Sequence, residues 1–198
     1  MEIFMGSLLA GDNAAVPSPY DFALGGKGLD PSLPGGVSGT LLQAGQCFMV
    51  DMGGNFYGYM GDMSRVFSIG KLPEQAYAAH QTCLETQEEI VAMAKPGTVC
   101  EDMYNKAIEI VTKAGFADYF MGVDQKAKFI GHGIGLEINE MPVLAPRMKQ
   151  ELEPGMVFAL EPKIVLPGIG PVGIENSWAV TTDGLEKLTL CKEEIIEL

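Results

Sequence analysis

Residues 46–70 read QCFMVDMGGNFYGYMGDMSRVFSIG, and this stretch decides the fold. Its runs CFMVDMGG, NFYGYM and SRVFSIG are β-branched and aromatic, and glycines punctuate them, which is the pattern of an antiparallel hairpin. Asp51 and Asp62 are eleven positions apart, centred between Phe56 and Tyr57. Strands paired about that centre would set the two carboxylates opposite each other on one face of the sheet. Further along, MVFALEPKIVLPGIGPVGIENSWAV reads as a second hairpin around its Pro/Gly centre. Within it Glu161 and Glu175 are fourteen apart, centred on Gly168, and the same argument puts them face to face.

Like charges set across a ladder destabilise it, so a hairpin that holds two of them is compensated by a cation. A metal ion is the natural compensation. His132, in GHGIG, lies between glycines that leave room for close approach, and a neutral imidazole beside carboxylates suits Mn, Co, Fe or Zn. Four carboxylates balance two divalent ions, and two such ions can share a hydroxide as nucleophile. The competing reading makes each Asp a turn residue and the lone His a core or surface group. His80, in the exposed-looking run AAHQT, is given no role.

Between the hairpins the chain is helical. Leu72 to Ala94 carries Pro73 and Glu74 at its start and apolar residues at three- and four-residue spacing, and Lys95-Pro96-Gly97 stops it. A second helix begins after Thr98, which sits at capping-box spacing from Glu101, and it breaks at Gly115. Residues 10–46 are rich in Gly, Pro and Ser and read as loops between short strands, and FIGHGIGLEI returns to glycine-rich β. The fold class is α+β, with helices between two strand-rich halves.

With 198 residues, 47% of them hydrophobic and 20% charged, the chain buries a real core and is too apolar for disorder. The formal net charge of −13 has the wrong sign for a nucleic-acid backbone or an anionic membrane surface, and it suits cations. The longest uncharged run, residues 31–50, contains prolines and glycines and cannot span a membrane, and MEIFMGSLLAG lacks the basic start of a secretory signal. Cys47, Cys83, Cys100 and Cys191 are widely spaced and read as reduced core thiols, as expected of a cytoplasmic protein.

Five separated strings, VDMGGNFYGYMGDMSRVF, KPGTVCEDMYNKAIEIVTKAG, GHGIGLEINEMP, LEPGMVFALEPKIV and IENSWAVTTDG, resemble in order and spacing the catalytic domain of the pita-bread metallopeptidases. Within that family the match is to the Xaa-Pro aminopeptidase and prolidase branch. The resemblance spans roughly residues 40–190 and implies a curved antiparallel sheet with flanking helices. It implies that Asp51, Asp62, His132, Glu161 and Glu175 hold two divalent ions, with Asp62 and Glu175 as the bridging carboxylates. It also implies that a bridging water attacks the N-terminal peptide bond of a short peptide, with His132 and Glu161 as catalytic groups and Glu161 taking the water's proton.

Three departures from the family pattern stand out. Asn139, in INEMP, replaces a His that normally follows the ligand His by seven residues. Gly173 and Asn176 stand where Arg and Asp are usual, and residues 1–50 contain no His. An imidazole or guanidinium donor lost from such a position costs roughly 2–4 kcal/mol of transition-state stabilisation. Asn139 is therefore a candidate substrate contact in its own right. Lys163, in EPKIV where the family tends to have glycine, reads first as a rim lysine and second as a replacement cation facing substrate.

The resemblance further implies two halves, each with a helix pair, whereas this sequence shows a pair only before His132. Residues 1–198 are accordingly expected to be a single catalytic domain, the C-terminal fragment of a longer chain without its N-terminal domain. A homodimer is the family-level expectation. The rival reading is a non-peptidase relative of the same fold, amidinohydrolase-like or a peptide-binding module. The missing His and Arg favour it, and the five retained ligands oppose it.

Overall fold

The computed structural model describes residues 5–17, 24–32 and 35–198. Strand β1 (Met5–Ala10) leads through a 3-10 turn at Gly11–Ala15 to the hairpin of β2 (Cys47–Phe56) and β3 (Tyr59–Ser68). Helices α1 (Glu74–Met93) and α2 (Cys100–Lys113) follow, then a short 3-10 turn at Ala117–Tyr119. The rest is β: β4 (Gly131–Gly133), β5 (Glu140–Val143), β6 (Val157–Leu160), β7 (Lys163–Leu166), β8 (Gly170–Gly173), β9 (Asn176–Val180), β10 (Leu185–Lys187) and β11 (Ile196–Glu197). The α+β class read from the sequence holds. Strands β1, β5, β10 and β11 are elements the sequence reading did not assign, and among the described residues no strand lies between Ala15 and Cys47, where short strands were expected.

Among the described residues three sheets result. One has the order β1-β2-β3-β11, a second β10-β9-β6-β4-β5, and a third is the two-stranded β7-β8. The β2–β3 hairpin turns one residue later than its acidic spacing suggests, because Phe56 pairs with Tyr59. The two turn residues, Tyr57 (φ 51°) and Gly58 (φ 89°), both take positive φ, as a type I′ turn requires. Gly58 accepts this at no steric cost, so it and not the midpoint of the acids sets the register. Asp51 therefore pairs with Ser64 and Asp62 with Gly53, so the two aspartates share a face but lie diagonally. The expected centre of the second hairpin is observed, with Lys163 opposite Gly173 and Leu166 opposite Gly170.

Helix α1 buries Ala76, Ala79, Cys83, Thr86, Gln87 and Ile90 along one face, and the small side chains among them let it lie close on β7 and β8. The capping box expected for α2 does not form. Thr98 Oγ1 instead accepts from the Lys95 amide (3.1 Å) and donates to Met93 O (3.4 Å), which closes the end of α1. The free amides of Cys100 and Glu101 donate to Gln150 O and Met148 O at 2.9 and 3.0 Å, so a neighbouring segment satisfies the start of α2. Glu101 is then free to accept from the Arg147 amide at 2.7 Å and from Lys149.

The core runs continuously through Leu9, Met49, Val66, Ile90, Met103, Leu144, Phe158, Leu160, Ile164 and Ile174. Cys47, Cys83 and Cys100 are buried free thiols within it, but Cys191 is exposed, because it lies on the polar C-terminal segment and not on a core strand. Among the described residues no helix is long and apolar enough to cross a membrane.

Candidate metal centre

Asp51 and Asp62 stand within the continuous strands β2 and β3, whereas the second hairpin breaks where its acids stand. Strand β6 belongs to the five-stranded sheet and β7 to the two-stranded one, and Glu161 occupies the crossing between them. Pro162 follows and has no N–H to continue a ladder. Glu175 holds the equivalent crossing from β8 to β9. An isolated bridge, Ser64 to Glu175, joins this crossing to β3 and helps to bring the two hairpins together. His132 arrives from β4, which pairs with β6 through His132–Ala159.

The five expected ligands converge in two groups. Asp62, His132 and Glu175 place one donor atom each within 4.8 Å of one another, and so do Asp51, Glu161 and Glu175. His132 Nε2 lies 3.8 Å from Asp62 Oδ2 and 3.4 Å from Glu161 Oε1. Asp62, His132, Glu161 and Glu175 are all buried, and Asp51 is half-buried.

Lys163 corrects the sequence reading. It is 0% exposed, not a rim residue. It opens β7 directly after the crossing that holds Glu161, and its stem points into the acids. Nζ donates to Glu161 Oε2 at 2.6 Å, Asp51 Oδ2 at 2.8 Å and Glu175 Oε2 at 3.0 Å. The second group of ligands is therefore filled from within the protein, while the first, with its mixed carboxylate and imidazole donors, fits a divalent ion such as Mn, Fe, Co or Zn.

The electrostatics follow from this arrangement. Burial opposes the Lys163 ammonium, but Asp51, Glu161 and Glu175 outweigh it and hold its pKa well above the usual lysine value. Burial likewise opposes the Glu161 carboxylate, yet Lys163 and His132 bring it down to about 2. Asp62 is pushed up to about 7, by burial first and then by Asp51. Glu175 is raised well above the carboxylate range, chiefly by burial, with Asp51, Glu161 and Asp62 outweighing the opposing ammonium. Burial works against protonated His132 too, and the Glu161 hydrogen bond overcomes it, so its pKa rises. Carboxylates that resist ionisation beside an imidazole call for further positive charge.

Behind the acids lies a polar scaffold that the sequence reading missed. Ser177 Oγ donates to Asp62 O at 2.8 Å and anchors that strand to β9. Arg65 donates to Glu175 O (2.9 Å) and to Asn176 Oδ1 (2.9 Å), and Gln87 of α1 donates to Leu160 O at 2.9 Å. The only signal was a charged residue inside the apolar strand SRVF; Gln87 in LETQEEI looks like surface. Asn139 is exposed on the bend between β4 and β5, and no hydrogen bond joins it to the acids among the described residues. His80 is buried, against expectation, with Nε2 2.7 Å from Glu193 O, because α1 turns that face toward the C-terminal segment.

With four acids, one imidazole and two crossing hairpins in place, the chain belongs to metallopeptidase family M24, whose model matches residues 2–182. It is similar to the Xaa-Pro dipeptidase of Pyrococcus furiosus, 31% identical over 185 residues that cover 93% of this chain and 51% of that protein. Among solved structures it resembles the X-Pro aminopeptidase of Thermotoga maritima (TM-score 0.81, 27% identity, 98% of this chain and 49% of that one). It also resembles the prolidase of Pyrococcus horikoshii (TM-score 0.79, 28% identity, 96% of this chain and 49% of that one). The chain spans about half the length of the curated relatives it matches. These likenesses show the α+β pita-bread fold with its antiparallel sheets.

Proposed function

We propose that this chain carries the catalytic centre of a metal-dependent exopeptidase that hydrolyses the N-terminal peptide bond of short peptides, Xaa-Pro among them. The observation that carries the reading is the convergence of Asp62, His132 and Glu175 on one point, with Asp51 and Glu161 beside them. These five residues are the proposed ligand set, and whether it holds one divalent ion or the two implied by the sequence resemblance depends on Lys163. A divalent ion held there would polarise the scissile carbonyl and make a water a nucleophile near neutral pH.

The protein's own groups have distinct parts in this proposal. Glu161 is ionised at neutral pH, and with Oε2 held by Lys163 its Oε1 is the proposed acceptor of the water's proton. His132, whose Nε2 lies 3.4 Å from that oxygen, is the imidazole of the proposed ligand set and a second proposed catalytic group. Asn139, exposed beyond β4, is the proposed peptide contact in place of an imidazole. Lys163 is sealed behind three carboxylates, so its part is electrostatic. The buried free thiols fit a reducing, cytoplasmic setting, and a homodimer belongs to the same proposal.

Hydrolysis of Xaa-Pro and non-proline dipeptides, with the protein supplied in turn with Mn, Co, Zn and Fe, tests this reading. Turnover is expected, and Asp62→Ala or Glu175→Ala is expected to abolish it. Lys163 among the acids favours one second reading, a non-peptidase relative. Saturable peptide binding by folded, metal-supplied protein without any cleavage would establish that alternative.

A further inference from the structure

We infer that the Lys163 ammonium occupies one of the two metal positions, so that this centre takes a single divalent ion, at Asp62, His132 and Glu175. The inference rests on the reading of those three residues as a metal site. It deepens that reading by setting the number of ions.

The carboxylates that Nζ touches, Asp51, Glu161 and Glu175, are the same three that form the second group of converging donors. A lysine has three N–H donors and no acceptor, and here each donor meets a different carboxylate at 3.0 Å or less. An ion bonded to these oxygens at about 2.0–2.2 Å would need the space the nitrogen fills. Two cations confined on one set of oxygens repel strongly in a buried site.

The stem is built in as firmly as the charge. Lys163 opens β7 and pairs with Gly173, which presents no side chain to it. A Cβ at Gly173 would stand 2.8 Å from Lys163 Cα and 3.3 Å from its Cγ, so the glycine leaves the room that the lysine stem uses. The side chain is 0% exposed, and withdrawing the ammonium from the acids would leave a buried charge without a partner. The first group differs. Among the described residues Asp62 forms no ion pair with a lysine or arginine, and its recorded charge partner is the His132 imidazole at 3.8 Å. One position is thus filled by the chain and the other is open to an ion.

The test counts ions. Wild type, Lys163→Gly and Lys163→Ala are saturated with Mn(II), freed of excess by gel filtration and measured by inductively coupled plasma mass spectrometry. Electron paramagnetic resonance reports whether the bound manganese ions are isolated or spin-coupled. One equivalent of isolated Mn(II) in wild type, lost in His132→Ala, with one further equivalent and a coupled signal in a Lys163 variant, is the expected result. Two equivalents in wild type, or the same non-zero count in wild type and folded Lys163 variants, overturns the inference and leaves the metallopeptidase reading intact. No metal in wild type but binding in the variants upholds the lysine's role and removes that reading, and no metal in any of them removes both. Should neither Lys163 variant fold, the wild-type count decides: one isolated ion supports the inference, and two or none overturns it.

Discussion

Asn176 Nδ2 donates to Gln87 Oε1 at 2.6 Å, side chain to side chain, in the buried layer between α1 and the start of β9. The same glutamine donates through Nε2 to Leu160 O at 2.9 Å. One side chain on α1 therefore ties the residue just before Glu161 to the residue just after Glu175. Replacing it with alanine leaves one Asn176 Nδ2 hydrogen and the Leu160 carbonyl without this partner, although Nδ2 keeps its bond to Glu193, and costs about 1–3 kcal/mol. Gln87→Ala is expected to lower the melting temperature and also to weaken Mn(II) binding about 10–100-fold, as loss of a group that orients ligands does. Melting curves with and without metal check both parts, and a stability loss with unchanged affinity would confine Gln87 to packing.

Arg65 spreads its donors over Ser64 O, Glu175 O, Asn176 Oδ1, Cys191 O and Lys192 O, at 2.6–3.1 Å. A lysine has no planar fork and cannot satisfy so many acceptors at once. Arg65→Lys is expected to destabilise the fold by about 1.5–3 kcal/mol, the scale of a hydrogen bond to a charged group. Hydrogen exchange should speed up at residues 191–198 before it does in α1, because the arginine is what clamps that segment. Uniform acceleration across the chain would contradict this.

Gly173 takes φ 145°, and a Cβ there would lie 2.4 Å from Pro162 O. Gly173→Ala should therefore strain the backbone and crowd the Lys163 stem at once, at a cost of about 1–3 kcal/mol. For a domain of this size that lowers the melting temperature by about 2–4 °C per kcal/mol. Gly168→Ala, where φ is 79° but no atom lies within 4 Å of the added Cβ, carries the backbone term alone and should cost less. Calorimetry on the two variants ranks them.

His80 carries a pH dependence of known sign. Burial lowers its pKa, against the opposing effect of the Glu193 backbone and side chain, with Arg65 adding to the lowering. Its Nδ1 is buried without a hydrogen-bond partner among the described residues. Unfolding releases an imidazole that titrates near 6.5, so below that pH the unfolded chain binds more protons than the folded one. Stability contributed by neutral His80 is then full above about pH 6.5 and is lost as pH falls toward the lower folded value. In urea titrations from pH 7.5 to 5, His80→Gln should lose stability less steeply than wild type. Parallel curves would rule the histidine out as the cause.

Much of this protein was legible along the chain. Period-two runs, glycine turns and the Pro96 stop located both hairpins and both helices, because these features act over a few residues. The acidic spacing placed Asp51 with Asp62 on a common sheet face, since alternation along a strand survives a shift of the hairpin centre by one residue, and the centre at Gly168 set Glu161 and Glu175 at the two crossings just beyond the β7–β8 ladder. What eluded the sequence were the contacts made by residues distant in it. Capping at Thr98 was decided by the end of α1, and the amides of α2 by residues 148–150.

His80 and Gln87 looked like surface positions until α1 lay down on the C-terminal segment and on β6. Lys163 is the plainest case. Its nearness to Glu161, two positions earlier, follows from the chain alone. That its ammonium meets Asp51, 112 positions away in the chain, follows only from the contacts that close one hairpin on the other, the Ser64–Glu175 bridge and the Ser177–Asp62 hydrogen bond among them. Strand alternation is a local property of the backbone and could be counted from the sequence. Whether a charge ends at the rim or among three acids depends on which sheet faces pack together, and only the tertiary structure decided that.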